Sequence, residues 1–426
     1  MVGMLKTKNR KQPDWYLLGA AVGLSVIGLL VQLSAGGYQG ELPRWLYHGG
    51  FLLLGLGLVS AARLLDHHRL KGAAPWFFAL SAGLLVLVLL LPGEGAKRWL
   101  SLGFINLQPS EPVKLAFIVL AARLLADDTP GRRRYLLLFA LTLLVMLLVA
   151  LEPDLGTALV FVPILLGMLY RSGTPGWKIL LLLLPFAVGL LALTEPSAWL
   201  VRLLGSDLAS SPLGALMRPW WWAGTALLVG LWLLLRKREK LYAGGLLAAG
   251  LTLSALLPLA WGMLLDYQQR RILMFLDPTA DPKGAGYNLL QSKIAIGSGG
   301  IWGKGLAHGS QSQLAFLPER HTDFAFSVWA EEWGLVGSLV LLTLFGVLIW
   351  RLLRVAKQLE NRFSSLVAYG VAVLIGFHAV FNIGMCLGVF PVAGLPLPFV
   401  SYGGSFMLTC WLGVGLVEGL RAGRDA

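Results

Sequence analysis

The chain has 426 residues, of which 57% are hydrophobic and only 13% charged, and it carries a formal net charge of +13. Soluble domains are about one quarter charged, so this composition excludes an ordinary soluble protein. The charge excess would suit nucleic acid, but its spacing along the chain excludes that as well.

Apolar runs long enough to cross a hydrocarbon core recur from end to end. They predict about twelve spans, at 15–35, 45–64, 75–92, 110–126, 135–151, 156–170, 178–194, 219–235, 241–265, 324–350, 363–387 and 402–420. The first run follows Lys6, Lys8, Arg10 and Lys11 and is too long for a signal-peptide core, so it is read as a retained helix. With the N-terminus inside, the Lys/Arg-rich stretches at 6–11, 63–71, 123–134, 171–178, 236–240, 351–362 and 421–424 all fall inside. This is the positive-inside pattern, and it accounts for the net charge without nucleic acid. Cys386 and Cys410 both lie in apolar runs and are read as packing residues.

The expected fold is therefore an all-α polytopic membrane domain over 1–426, with both termini cytoplasmic. Within it, 195–265 is read as a loop and helix pair and 266–323 as a long extracytoplasmic loop. Apolar anchors such as Ile294, Trp302 and Phe316 argue that this last segment is ordered. Its glycines from Gly297 to Gly309 suit either surface turns or a nest of backbone N–H groups for phosphate beside Lys304. The spacing does not match a nucleotide-binding P-loop.

Ionisable groups in or beside a span are costly unless paired or wetted, which makes each a candidate site. Glu111 and Lys114 open the fourth span in Gln-Pro-Ser-Glu-Pro-Val-Lys, three residues apart and so on one helix face, with Ser110 as a cap. A purely structural ion pair fits the same spacing. Asp154, in Glu-Pro-Asp-Leu-Gly-Thr, suits an N-cap with Thr157 one turn on. Asp323 stands in His-Thr-Asp-Phe where the outer segment enters the tenth span; it or Thr322 is expected to cap that helix, and its carboxylate suits a general base. Glu331 and Glu332 are expected two turns deeper, at least one of them facing water or a basic partner. On the outer side Lys97, Arg98, Arg270, Arg271, Lys293 and Lys304 run against the charge rule. They suit either lipid headgroups or a pyrophosphate-bearing substrate. No metal-ligand cluster is visible, and a divalent cation is left open as a cofactor.

These motifs make the sequence similar to the SEDS family of cell-wall polymerases (shape, elongation, division, sporulation), on its RodA branch. The matching stretches are Lys-Arg-Trp-Leu at 97–100, Gln-Pro-Ser-Glu at 108–111, Pro-Asp-Leu-Gly-Thr at 153–157, Tyr-Gln-Gln-Arg-Arg-Ile at 267–272 and Asp-Pro-Lys-Gly-Ala-Gly-Tyr at 281–287. Further on come Gln-Ser-Lys-Ile-Ala-Ile-Gly-Ser-Gly-Gly at 291–300, Gly-Ser-Gln-Ser-Gln-Leu at 309–314 running on to Asp323, and Pro-Leu-Pro-Phe-Val-Ser-Tyr-Gly-Gly-Ser at 396–405.

The resemblance implies a ten-helix core, here with two inserted helices between Thr194 and Tyr267. It also implies an inverting peptidoglycan glycosyltransferase that polymerises lipid II for elongation and rod shape and releases undecaprenyl pyrophosphate. It places the family's essential aspartate on Asp323, its paired Glu and Lys on Glu111 and Lys114, and its Pro-Asp-Leu-Gly aspartate on Asp154. Arg98, Arg270, Arg271, Lys293, Lys304 and Ser401 become candidate substrate contacts. The implied setting is the bacterial inner membrane and its lipids, with a class B penicillin-binding protein as transpeptidase partner. Two rival readings share the charged cavity and topology: a flippase for the lipid-linked precursor, and a scaffold that only recruits the transpeptidase.

Overall fold

The computed structural model describes residues 12–36, 38–39, 42–91, 98–101, 106–127, 132–152, 154–175, 286–314 and 316–423. The expected spans at 178–194, 219–235 and 241–265 lie outside them, as do Lys97, Arg270 and Arg271. Contacts divide the chain into two compact units, one of Met1–Ser172 with Pro278–Ala426 and one of Gly173–Asp277. All that follows concerns the first unit.

Its elements are α1 (Trp15–Ala35), β1 (Tyr38–Gln39), β2 (Leu42–Pro43), α2 (Arg44–Ala62), α3 (His67–Leu90), β3 (Leu100–Ser101), β4 (Asn106–Leu107), α4 (Ser110–Leu125), α5 (Arg132–Leu151) and α6 (Leu155–Arg171). After the second unit come α7 (Tyr287–Ser298), the single turn α8 (Ser310–Gln313), α9 (Ala325–Gln358), α10 (Arg362–Leu387) and α11 (Gly404–Ala422). Among the described residues six helices are long and apolar enough to cross a membrane: α1, α2, α3, α5, α9 and α10. The architecture is that of a polytopic, all-helical membrane protein. The only sheet structure among the described residues is two antiparallel ladders, β1–β2 and β3–β4, just ahead of α2 and α4.

Burial separates the helices into layers. In α4 nearly every residue from Ser110 to Ala122 is buried, whereas α3 and α5 expose Leu80, Leu87, Leu136, Leu143 and Leu147. A helix buried on all sides belongs at the centre of a bundle, so α4 holds the middle, against α3, α6, α10 and α11. Small residues bring α2 and α11 together: Gly415 and Gly419 leave no room for a side chain against Val59 and Ala62. Where lipid tails are as apolar as the helices, such close backbone packing is what drives association.

One end of the bundle gathers cations. Asp14 caps α1 by accepting from Leu17 N at 3.2 Å, and its other oxygen takes Arg351 Nε at 3.0 Å and lies 3.6 Å from Arg421 Nη1. Arg171 holds Ala356 O and Ser365 Oγ, and Arg123 holds Lys71 O and Gly72 O. The opposite end carries the turns between α1 and α2, α3 and α4, α5 and α6, and α10 and α11.

α9 is not one rod. At Gly334 the backbone turns to φ 62°, ψ −155°, so Ala325–Trp333 is a separate short helix. The glycine-rich segment 299–309 splints the break: Lys304 N and Gly305 N donate to Glu331 O and Glu332 O at 3.1 and 2.9 Å, while Leu335 N and Val336 N donate to Gly300 O and Ile301 O at 2.9 and 3.1 Å. Every backbone group at membrane depth needs such a partner. The break comes after Glu331 and Glu332, which lie on the short helix about two turns along from Asp323, as expected. Glu332 accepts from Ser34 on α1.

A methyl group at Gly334 would overlap Gly303 N and Ile301 O in addition to straining a positive φ. Gly334→Ala is therefore expected to destabilise by roughly 3 kcal/mol or more. Gly346→Ala, which meets open space, should be close to neutral. Thermal unfolding of the two purified variants in detergent compares them directly.

Candidate active site

Lys114 is fully buried, with Nζ 2.8 Å from Glu111 Oε2, 3.3 Å from His378 Nε2 and 5.0 Å from the Phe406 ring centroid. The spacing of three does place both charges on one face. Because Pro396 O, 3.3 Å from His378 Nδ1, can only accept, the ring proton sits on Nδ1 and Nε2 is left to accept from the ammonium. Ser110 is not the cap: the helix starts one residue earlier than a cap would allow, Pro109 takes the N-cap position, and Ser110 Oγ is buried without a partner.

Asp154 is the N-cap of α6, accepting from Thr157 N at 3.0 Å. Its second oxygen takes Gln108 Nε2 at 3.1 Å and lies 3.8 Å from Arg98 Nη1. Gln108 N in turn donates to Ser405 Oγ at 3.1 Å, and Ser405 Oγ donates to Asn106 O at 2.9 Å. Three separate motif stretches, 108–111, 153–157 and 396–405, are thereby tied into one cluster.

Asp323 stands on the turn ahead of α9, half-buried. Neither it nor Thr322 caps the helix; Phe324 occupies that position and no side chain caps it. Three consecutive carbonyls fix the strand of backbone that carries it. His321 O accepts from Gln32 Nε2 at 3.1 Å and Tyr402 N at 2.8 Å, Thr322 O from Ser401 Oγ at 2.5 Å, and Asp323 O from Asn382 Nδ2 at 2.8 Å. The same Asn382 amide reaches Leu395 O at 2.7 Å. Gly394, at φ 70°, passes beneath the carboxylate, where a Cβ would lie 3.5 Å from Asp323 Oδ2, and Ala393 packs on Gly156 at the start of α6. The 393–396 turn thus links Asp323 to both the Asp154 cap and the Glu111–Lys114–His378 group.

The remaining sequence candidates fall elsewhere. Lys304 Nζ is spent on Glu331 Oε1 and Ser310 Oγ, each at 2.8 Å, and the nearby N–H groups splint α9, so the phosphate-nest reading loses its donors. Glu331 does find the basic partner expected of it. Lys293 lies over Gly388, the left-handed cap of α10, where a cation complements the helix C-terminus. Ser401 is buried, and it accepts from Leu397 N at 2.8 Å while holding Thr322 O, which makes it a bracket for the Asp323 backbone. Among the described residues no three His, Cys, Asp or Glu side chains group as a metal site.

Sequence reasoning missed Glu152. It is fully buried between α5 and α6, and among the described residues neither of its oxygens has a hydrogen-bond partner. Burial, reinforced by the charge of Asp154 and opposed by Arg98, holds its carboxyl up to about 8. It was visible as an acid at a span boundary next to Asp154. His378 and Asn382 were also missed; a polar pair four residues apart inside a span is the signal that would have found them.

A profile of the cell cycle protein family FtsW/RodA/SpoVE matches residues 15–205 and 224–425. The chain belongs to that family. It is similar to the peptidoglycan glycosyltransferase MrdB of Escherichia coli (strain K12), 35% identical over 417 residues, 96% of this chain and 94% of that protein. The peptidoglycan glycosyltransferase RodA of Treponema pallidum (strain Nichols) is 33% identical over 424 residues, 96% of this chain and 97% of that one. Among solved structures, a chain from a peptidoglycan synthase complex that coordinates polymerization and crosslinking superposes with a TM-score of 0.65 at 30% identity, over 96% of this chain and 97% of its own. For an FtsW/RodA/SpoVE protein the family expectation of a multi-pass bacterial membrane protein is met by the six apolar helices.

Two predictions follow from these geometries. The folded Glu152 carboxyl keeps its proton up to about 8, while the unfolded chain sheds it above the ordinary 4.5; stability should therefore fall as pH rises from about 5 to 8 and level off above. Glu152→Gln, a neutral isostere, should flatten that slope in thermal melts taken across the range. Asn382→Leu strands two buried carbonyls, at about 1–3 kcal/mol each, and loosens the Asp323 backbone. It should lower kcat for polymer formation more than it raises KM, measured in steady-state assays at matched folded fraction.

Proposed function

We propose that this chain polymerises lipid II into peptidoglycan glycan strands for cell elongation, releasing undecaprenyl pyrophosphate, with Asp323 as the base that accepts the proton of the acceptor hydroxyl. The observation that carries the reading is the pinned backbone beneath Asp323. A carboxylate on a turn with three consecutive bonded carbonyls is held where a sugar hydroxyl can meet it, and such preorganisation is what acid–base catalysis requires.

The other groups have distinct tasks in this reading. Glu111 and Lys114, locked with His378, fix the 393–396 turn on which Asp323 rests. Asp154 orients Gln108 and Arg98, and Arg98, with one buried guanidinium nitrogen unpaired, is a donor for substrate oxygens. Arg270 and Arg271 are further candidate pyrophosphate contacts. Single displacement at the anomeric carbon inverts its configuration, and cations at the departing pyrophosphate stabilise its charge.

The cation-rich end of the bundle supports an orientation with both termini in the cytoplasm and Asp323 facing the outside, in a layout of twelve spans. The segment 266–323 is then extracytoplasmic. A class B penicillin-binding protein is the proposed partner, supported by the synthase complex in which the structural relative was solved.

Purified chain given lipid II in detergent is expected to make glycan strands, and Asp323→Asn to lose roughly a hundredfold or more of that rate while melting at the wild-type temperature. A folded Asp323→Asn that polymerises at the wild-type rate rules out the base assignment. Running the reaction with and without chelator and transpeptidase reports on a divalent cation and on activation. A transporter needs a sealed bilayer to show anything, and a scaffold makes no product in either setting.

A further inference from the structure

Beside Asp323 lies a cationic cluster that the reading above leaves without a task. Arg44 opens α2, in a first turn that holds no acidic residue, so its guanidinium and the positive end of the helix dipole stand together. Its carbon sits 6.0 Å from the Tyr402 ring centroid. Burial, and after it the nearby charge of Arg44, pulls the Arg320 pKa down. Among the described residues neither arginine has an ion pair.

Two donors in this cluster have nothing to donate to: Arg320 Nη1 and the Tyr402 hydroxyl are both buried without a hydrogen-bond partner. Burial pushes the Tyr402 phenol up to about 12, so it keeps its proton. The His321 imidazole is held below its ordinary range by burial and by Arg44. Glu319 is largely exposed and already accepts from Thr322 Oγ1 at 3.0 Å; its carboxylate is 3.9 Å from His321 Nε2. Two like charges and a phenol, with buried donors left unpaired, describe half of an anion site.

We propose that Arg44, Arg320 and Tyr402 form a subsite for the diphosphate group of a prenyl-linked substrate or product. Two features favour a diphosphate over an isolated charge. Two separate guanidinium forks match two phosphate units, and Tyr402 N bonds His321 O, which sets the subsite two residues from Asp323 on the same pinned turn. Lys304 is taken by Glu331 and Arg98 leans on Asp154, whereas among the described residues these two arginines have no acidic partner. The assignment rests on the lipid-linked glycosyltransferase reading and specifies which end of the lipid carrier enters this side of the site.

The test uses the full purified chain in detergent and two probes, undecaprenyl diphosphate and phosphatidylglycerol, each titrated against wild type, Arg44→Gln, Arg320→Gln, the double variant and Tyr402→Phe. The double variant is expected to lose tenfold or more in affinity for undecaprenyl diphosphate while phosphatidylglycerol binding is unchanged. Arg44→Lys with Arg320→Lys should recover part of it. Because the arginines repel, the ligand-free double variant should melt at or above the wild-type temperature and lose the stabilisation that the diphosphate lipid gives. Unchanged diphosphate affinity overturns the proposal, and so does an equal loss for both lipids, which would mark a headgroup site. Asp323→Asn separates the two claims, since it should bind undecaprenyl diphosphate like wild type while failing to polymerise; the base assignment can fall with the subsite intact, and the reverse.

Discussion

A buried stretch of backbone that leaves the helix must find a partner for each N–H and C=O it carries, because little water is there to serve. The surroundings of Asp323 are an answer to that demand. Gln32 from α1, Ser401 and Tyr402 from the turn before α11, and Asn382 from α10 each bring a donor to the carbonyls of residues 321–323. The same bonds that make an irregular turn tolerable also immobilise the carboxylate it carries. Stability and preorganisation are here one set of contacts, so the site cannot be loosened without exposing unpaired carbonyls.

The second constraint is charge. A buried ammonium costs several kcal/mol unless matched, and Lys114 is matched three ways, by Glu111, by the lone pair of His378 and by the face of Phe406. His378 then transmits the requirement to Pro396 and the turn beyond. The glutamate at 152 is handled in the opposite manner, by keeping its proton. The cluster near Asp154 thus accommodates several acids in a small volume with only some of them ionised.

Much of this was legible in the sequence, for identifiable reasons. Span boundaries follow hydropathy, and α1, α2, α4, α5, α6, α10 and α11 fall within a few residues of expectation. α3 begins at His67, ahead of the expected 75, because Pro75 is tolerated inside it and the polar turn before it is helical too. The i to i+3 spacing of Glu111 and Lys114 and the cap at Asp154 are local patterns, so they could be read locally. What stayed hidden was long-range pairing. The glycines of 297–309 looked like a ligand cradle because spacing alone does not say where their N–H groups point; a broken helix from elsewhere claims them. Asn382 carried only a weak local signal, its spacing of four from His378 inside a span, and its task depends on two carbonyls, one of them far away in sequence.

The break in α9 has a bearing on how the protein is made. A ribosome delivers the chain from the N-terminus, and segment 299–309 precedes Gly334, so the splint has already emerged when the interrupted helix leaves the translocon. The unpaired amides and carbonyls at the interruption need never meet lipid alone. Reversing that order, as a circular permutant opened between the splint and α9 would, leaves a bent hydrophobic segment waiting in the membrane for its partner, exposed to quality-control proteolysis.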